Sequence, residues 1–255
     1  MENTIIYEQP LNERIRNFIR LEHLFQQAAY TLRGYSIWDS RATISSLIDI
    51  LDILSRSDIK TELLKELDRH LSSLSKLRDI PGVDKEQLDS ILSQLSSAQK
   101  ELHGINGQLG QSLREHDLLS SLRQRGTVAG GSCHVDLPSY HFWLQQTPEE
   151  RINTLESWLD ELNPVNRPIM LMLGIIREST HLQDTTAENG FYQQNLDTHS
   201  PVQLIRVALN QDSPYFAEIS AGKHRFSVRF MRPQGNDRPV QSQDNIDFKL
   251  GCCMI

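Results

Sequence analysis

The chain has 255 residues, 38% of them hydrophobic and 23% charged, with a formal net charge of −7. That length buries a substantial core without metal or disulfide staples, the composition excludes a disordered chain, and no apolar run approaches the roughly 18 residues of a membrane helix. The acidic total excludes bulk electrostatic binding to nucleic acid, which rests on a broad positive field.

The N-terminus begins MENTIIYEQPLNERIR, without the basic-then-apolar pattern of a secretory signal, so a cytoplasmic protein is expected. The run TIIYE is β-branched and aromatic and reads as a strand near residues 3–8 closed by Pro10. From Leu11 the apolar positions Ile15, Phe18, Ile19, Leu21, Leu24 and Phe25 recur at helical spacing, and Arg16 and Arg20, four apart, share the exposed stripe. Residues 41–77 carry a leucine and isoleucine pattern that predicts two helices split near Ser55–Asp58. Ile80-Pro81-Gly82-Val83 is a turn, and Asp84 caps a third long helix running to His103. Long helices joined by short turns predict an antiparallel bundle.

A shorter helix is expected over 109–125, with Arg114, Arg123 and Arg125 exposed and Gly126 as its stop. The alternating run SCHVDLP predicts a strand near 132–136. Thr147-Pro148-Glu149-Glu150 is a helix start with a capping box, for a helix over 148–162 broken at Asn163-Pro164. IMLMLGIIRES, from Ile169, is a buried helix. Beyond Asn189-Gly190 the pattern changes to strands: 203–210, 215–220, 224–231 and 245–250, forming one C-terminal antiparallel sheet. The expected fold is α+β, a helical bundle domain over 10–188, interrupted by the strand near 132–136, and a smaller β domain over 189–255.

Charge is unevenly placed. Residues 37–104 carry 9 Lys or Arg against 12 Asp or Glu, and 141–201 carry 3 against 9, whereas 202–232 carry 5 against 2, a local net of +3. KHRFSVRFMR, residues 223–232, concentrates Lys223, His224, Arg225, Arg229 and Arg232. Period-2 alternation sends Phe226, Val228 and Phe230 to one face and Arg225, Ser227 and Arg229 to the other. Such a ladder suits an acidic partner, although a plain solvated strand face has the same pattern.

No catalytic constellation emerges. GxxxxGK[ST] is absent, and the adjacent Cys133 and His134 would point to opposite faces of a strand, which argues against a shared metal. A nucleophilic Cys133 in GGSCH lacks strand-turn-helix context, Asp49 and Asp52 read as helix-surface carboxylates, and Trp143 and Trp158 read as core. The odd set Cys133, Cys252 and Cys253 argues against a disulfide framework. No cofactor is implied.

Several segments resemble the Z-ring-associated protein D (ZapD) family: YEQPLNERIRNFIRLEHLF, TELLKELDRH, PGVD, LRQRGTVAGGSCHVDLPSYHFWL, ENGFYQ and RFSVRFM with DFKLGCC. In order they span about residues 5–253. The resemblance implies a non-enzymatic division factor in the bacterial cytoplasm, at the division site, that forms a homodimer through a helical domain and carries a β domain, which the strands near 3–8 and 132–136 would then join, making both domains discontinuous. It also implies binding to the C-terminal tail of the tubulin-like protein FtsZ, and bundling of FtsZ filaments to support the Z-ring. Such tails combine acidic and apolar residues, so the expected contacts are guanidinium and imidazole groups beside apolar patches. The candidates are Arg16, Arg20, Arg114, Arg123, Arg125, His141, Lys223, Arg225, Arg229 and Arg232, with Arg20, Arg225, Arg229 and His141 foremost. The chain departs from the family pattern at LREHD, which moves a contact expected after LRED towards His116. No membrane or nucleic-acid partner is implied. The alternative function is a single-stranded nucleic-acid binder using the basic strand face, which needs Phe226 and Phe230 to stack bases although the alternation turns them inward.

Overall fold

The computed structural model describes residues 3–56, 58–126, 128–197, 202–222 and 224–254. Lys223 therefore lies outside the described residues. Strand β1 (Thr4–Pro10) leads into α1 (Glu13–Thr31), α2 (Ile37–Arg56), α3 (Ile59–Ser75), α4 (Lys85–Gly104), α5 (Gln111–Glu115), α6 (Asp117–Arg125), α7 (Pro138–Leu144), α8 (Pro148–Asp160) and α9 (Asn163–Glu178). The strands β2 (Gln183–Ala187), β3 (Phe191–Asn195), β4 (Val202–Asn210), β5 (Phe216–Ala221), β6 (Arg225–Gln234), β7 (Asp237–Gln241) and β8 (Ile246–Met254) follow. The class is α+β. Two compact units result, Met1–Arg16 with Leu173–Ile255, and Asn17–Met172.

The sheet unit is a sandwich of two antiparallel sheets, not the single sheet expected from the sequence. One has strand order β1-β4-β8-β2, and the other has order β3-β6-β5 with β7 paired to the far end of β6. Alternation explains the shared core. Ile205, Val207 and Leu209 of β4 and Ile246, Phe248 and Leu250 of β8 meet Phe226, Val228 and Phe230 of β6, all buried. Fully burying each such side chain contributes on the order of 2 kcal/mol. Phe230 and Phe248 pack at 5.0 Å between ring centroids.

At the opposite end of the sequence β1 pairs with β4 in register from Thr4↔Asn210 to Pro10↔Leu204. Glu8 of β1 binds Arg177 of α9 through two bonds of 2.9 and 2.8 Å, and also accepts from Nε of Arg206 on β4 at 3.1 Å. One carboxylate thus clamps strand β1, the end of α9 and strand β4, which is why the first residues belong to a unit otherwise built from the last third of the chain.

The helical unit follows the leucine pattern. Leu47, Ile50 and Leu51 of α2, Leu63 and Leu67 of α3, and Leu95 and Leu102 of α4 are fully buried. Asp58 caps α3 by accepting from Thr61 N, and Asp84 caps α4 by accepting from Gln87 N at 3.1 Å. Gly82, at φ 90°, makes the tight turn between them. The aromatic rings of Tyr140, Trp143 and Trp158 stack at 6.1 Å spacings, and His116 closes the stack edge-on against Trp158 at 5.1 Å.

Two local expectations fail here. Residues 131–136 form turns, not a strand, so no strand from this region joins the sheets. Gly130 takes a left-handed φ of 74°, and successive bonds from Gly131 N to Val128 O, Cys133 N to Gly130 O and Leu137 N to Cys133 O coil the segment. Local hydrogen bonds have displaced a strand that had no neighbour to pair with. The helix expected over 109–125 is also broken, because His116 adopts an extended ψ of 123° between α5 and α6.

Candidate functional site

In the β6 sheet, period-2 alternation places Arg225, Ser227, Arg229 and Met231 on the face turned away from the buried phenylalanines. Arg225 and Arg229 are exposed, and Ser227 is partly covered. The two guanidinium-bearing positions stand about 13 Å apart along the strand, four residues at roughly 3.3 Å each. Their lateral neighbours come from the registers. Arg229 is opposite Phe191 of β3 on one side and Glu218 of β5 on the other. Arg225 is opposite Asn195, and Ser227 sits between Gln193 and Ser220. Further along, Met231 is flanked by Phe216 and Gln241.

The surface is thus a row of cations set among amides and hydroxyls, with half-exposed aromatic groups at Phe191 and Phe216. Among the described residues neither Arg225 nor Arg229 forms an ion pair. Glu218 is the carboxylate nearest in register to Arg229, about 5 Å away at Cβ. Such a face can take a segment carrying both carboxylates and apolar side chains, with bidentate contacts at the arginines.

The remaining candidates are placed differently. Arg232 is exposed but shares the parity of Phe226 and Phe230, which sets it on the opposite face of β6 from Arg225 and Arg229. Arg16 is paired with Glu13 at 3.2 Å. Arg20 lies one turn further along α1 and is exposed. Arg123 of α6 donates to Asp52 of α2 at 3.0 and 2.7 Å, which makes it a helix-to-helix tie. Arg114 is half-buried and donates to Gln108 Oε1 at 2.8 Å. Arg125 and His141 are exposed, and the His141 ring lies 5.5 Å from that of His134.

What the sequence pattern missed is that several large aromatic rings of the helical unit stand exposed. Tyr35, Trp38 and Phe142 are exposed, and Arg41 sits over the Trp38 ring at 5.4 Å and the Tyr140 ring at 5.0 Å. Arg41 also donates to the Ser132 hydroxyl and carbonyl, each at 3.4 Å. The signal available was Trp38 and Tyr35 standing beside Ser36 and Asp39, the polar pair that starts α2. Ser36 N and Oγ both donate to Asp39, at 3.0 and 2.6 Å, and these bonds hold the Asp39 carboxyl below its ordinary range.

The chemistry of the thiols is quiet. Burial raises Cys252 and pushes Cys253 up to about 11, so both stay protonated near neutral pH. Burial likewise pushes the Tyr140 phenol up to about 12, against the opposing charge of Arg41. Asp49 is raised by burial first and then by the charge of Asp52. A shallow cavity of about 640 Å³ on the sheet unit, lined by Thr4, Asp184, Thr186, Asn210, Asp247 and Lys249, brings together no nucleophile and base.

A family model described as ZapD, cell division protein, matches residues 19–229. The chain belongs to the ZapD family. The cell division protein ZapD of Methylococcus capsulatus is 46% identical over 255 residues, covering 100% of both chains. The protein of the same name from Coxiella burnetii is 39% identical over 254 residues, with 99% of this chain and 98% of the other covered. That from Bordetella petrii is 39% identical over 249 residues, with coverage of 98% and 99%. Among the described residues of this ZapD-family chain no helix is long and apolar enough to cross a membrane, and no three His, Cys, Asp or Glu side chains are placed to hold a metal ion.

Proposed function

We propose that the protein is a non-enzymatic crosslinker of FtsZ filaments: a homodimer, acting in the cytoplasm at the division site, that binds the FtsZ C-terminal tail through basic residues and supports Z-ring assembly. Membership of a cell division family supports the process. The observation that carries the binding mode is the outward face of β6, where Arg225 and Arg229 are exposed and make no ion pair among the described residues, with Phe191 and Phe216 beside them. Arg225 has no carboxylate opposite it in register, and Arg229, although it faces Glu218 across the strand, forms no ion pair among the described residues, so both present donors to the acidic part of a tail. Arg232 on the sheet unit, and Arg20, Arg125 and His141 on the helical unit, are the further exposed candidates. Arg123, Arg16 and Arg114 have intramolecular partners and contribute less.

Dimerisation supplies the mechanism. A monomer with one tail site decorates a filament, whereas a twofold dimer presents two equivalent sites and links two filaments. Weak single contacts suffice, because the many tails on each filament raise the effective concentration.

The test is the affinity of the purified protein for a labelled FtsZ C-terminal tail peptide, with wild type compared to Arg225→Glu plus Arg229→Glu. Binding is expected to weaken by more than about tenfold in the double variant, and to weaken for wild type at high salt, since charges on an exposed rim are screened over roughly 10 Å at 0.1 M. Unchanged binding by a folded double variant overturns the assignment of this face.

A further inference from the structure

The chain contains two Asn-Gly dipeptides, Asn106-Gly107 in the loop between α4 and α5 and Asn189-Gly190 in the turn between β2 and β3. In such a pair the next backbone nitrogen readily reaches the side-chain amide carbon of the asparagine, because glycine has no Cβ to obstruct the approach. The fold treats the two pairs differently. Gly190 is buried, its N–H donates to Asp244 O at 2.8 Å, and its carbonyl accepts from Phe230 N at 2.9 Å. Asn189 is held on both sides, its N–H by Asn245 Oδ1 and its carbonyl by Gln241 Nε2, each at 3.1 Å. A Cβ placed on Gly190 would meet Ser242 O at 2.5 Å, so this turn has no room to swing.

The first pair has none of these restraints. Asn106 and Gly107 are exposed, and among the described residues neither the Gly107 N–H nor the Asn106 side chain forms a hydrogen bond. Gly107 takes a left-handed φ of 82°. The loop is tied only to either side of the pair, where Ile105 O accepts from Lys60 Nζ at 2.6 Å and Gln111 N donates to Gln108 O at 3.2 Å. Exposed backbone with so few bonds opens at little cost. Local sequence does not favour this pair, because the β-branched Ile105 before it is stiff and crowds the approach. Any preference for Asn106 therefore comes from the fold.

We infer that Asn106 is a site of spontaneous covalent modification, cyclising onto the Gly107 nitrogen, and that the fold protects Asn189 from the same reaction. The Gly107 nitrogen gives its proton to solvent and bonds to Asn106 Cγ, the Cγ–Nδ2 bond breaks, and ammonia leaves. Water then opens the cyclic imide at either carbonyl, giving aspartate or isoaspartate, with no oxidant or cofactor consumed. Either product adds a negative charge to a cavity of about 440 Å³ that Asn106 lines together with Glu115 and Glu161. Isoaspartate also inserts an extra backbone atom between the Lys60 tie and the start of α5.

The experiment incubates the full chain at mildly alkaline pH and physiological temperature, either folded or in concentrated urea. Both peptides are followed by mass spectrometry after proteolysis, and isoaspartate is counted by enzymatic carboxyl methylation. In the folded protein the Asn106 peptide is expected to convert more than about tenfold faster than the Asn189 peptide, because several hydrogen bonds must open before Gly190 N can attack. In urea that difference is expected to vanish. Asn106→Ser, verified as folded by circular dichroism, is expected to remove the dominant isoaspartate signal. Asn189 converting as fast as Asn106 in the folded chain overturns the inference, as does an Asn106 peptide that converts in urea and stays unchanged in the folded chain. A difference that persists undiminished in urea assigns the preference to local sequence and overturns the protective role of the fold.

Discussion

Arg151 carries its charge into the interior of the helical unit and bonds only neutral oxygens. Nε reaches Ser40 Oγ at 3.0 Å, Nη1 the carbonyls of Leu144 and Gln146, and Nη2 that of Tyr35. The carbonyls at the end of α7 are oriented dipoles, which favour a cation there. Replacing Arg151 with Met keeps the apolar stem but strands four acceptors, so a loss of about 3 kcal/mol in urea unfolding is expected. Lys at this position, with a point charge in place of a planar fork, recovers only part of it. At the same scale, the two β6 arginines differ. Arg229 has a carboxylate and a ring as register neighbours, whereas Arg225 has Asn195, so Arg225 is the less compensated charge.

Helix starts show how far local chemistry carries an element. Thr147 accepts from Glu150 N at 3.3 Å while the Glu150 carboxylate takes back Thr147 N at 2.9 Å, the reciprocal box that four letters of sequence announced. Thr147→Ala is expected to cost about 1 kcal/mol, read as a lower urea midpoint at unchanged slope. Elements held by neighbours were harder to see. QDTTA, FYQQN and DRPVQ become β2, β3 and β7, yet they are polar and short, because each is exposed along most of its length and owes its strand state to pairing with β8 or β6. Conversely SCHVDLP alternates like a strand and coils into turns. Its Val135 is exposed while Leu137 is buried, so the alternation marks one anchoring leucine, not a sheet face.

At the scale of the whole molecule the proposal turns on valence. If crosslinking requires two competent tail sites per dimer, mixing wild type with an excess of Arg225→Glu plus Arg229→Glu chains, under conditions that allow subunit exchange, produces heterodimers with one competent site. Such heterodimers are expected to decorate FtsZ filaments without bundling them, so the pelleted fraction in low-speed sedimentation falls faster than the wild-type dose alone predicts. A fall that only tracks the dose would show that one site per dimer suffices to bundle.

The sequence by itself determined the elements whose cause is local. Leucine periodicity, the caps at Asp58, Asp84 and Thr147, the turn at Gly82 and the alternation of Phe226, Val228 and Phe230 each follow from neighbours within a few residues, and so did the order of segments that marks the family. Only the tertiary structure decided which charges stay available. Arg123 and Arg225 look alike in the chain, yet Asp52, 71 residues away, takes up the first, while β5 and β3 bring no carboxylate opposite the second. The same holds for the exposed rings. Ser40, Thr43 and Ser46 fill buried positions of α2 where a hydropathy pattern seeks leucine, and Trp38 is left outside. Long-range pairing sets both outcomes, because the free energy of a charge or a ring depends on which atoms the fold places against it, and no local pattern contains that information.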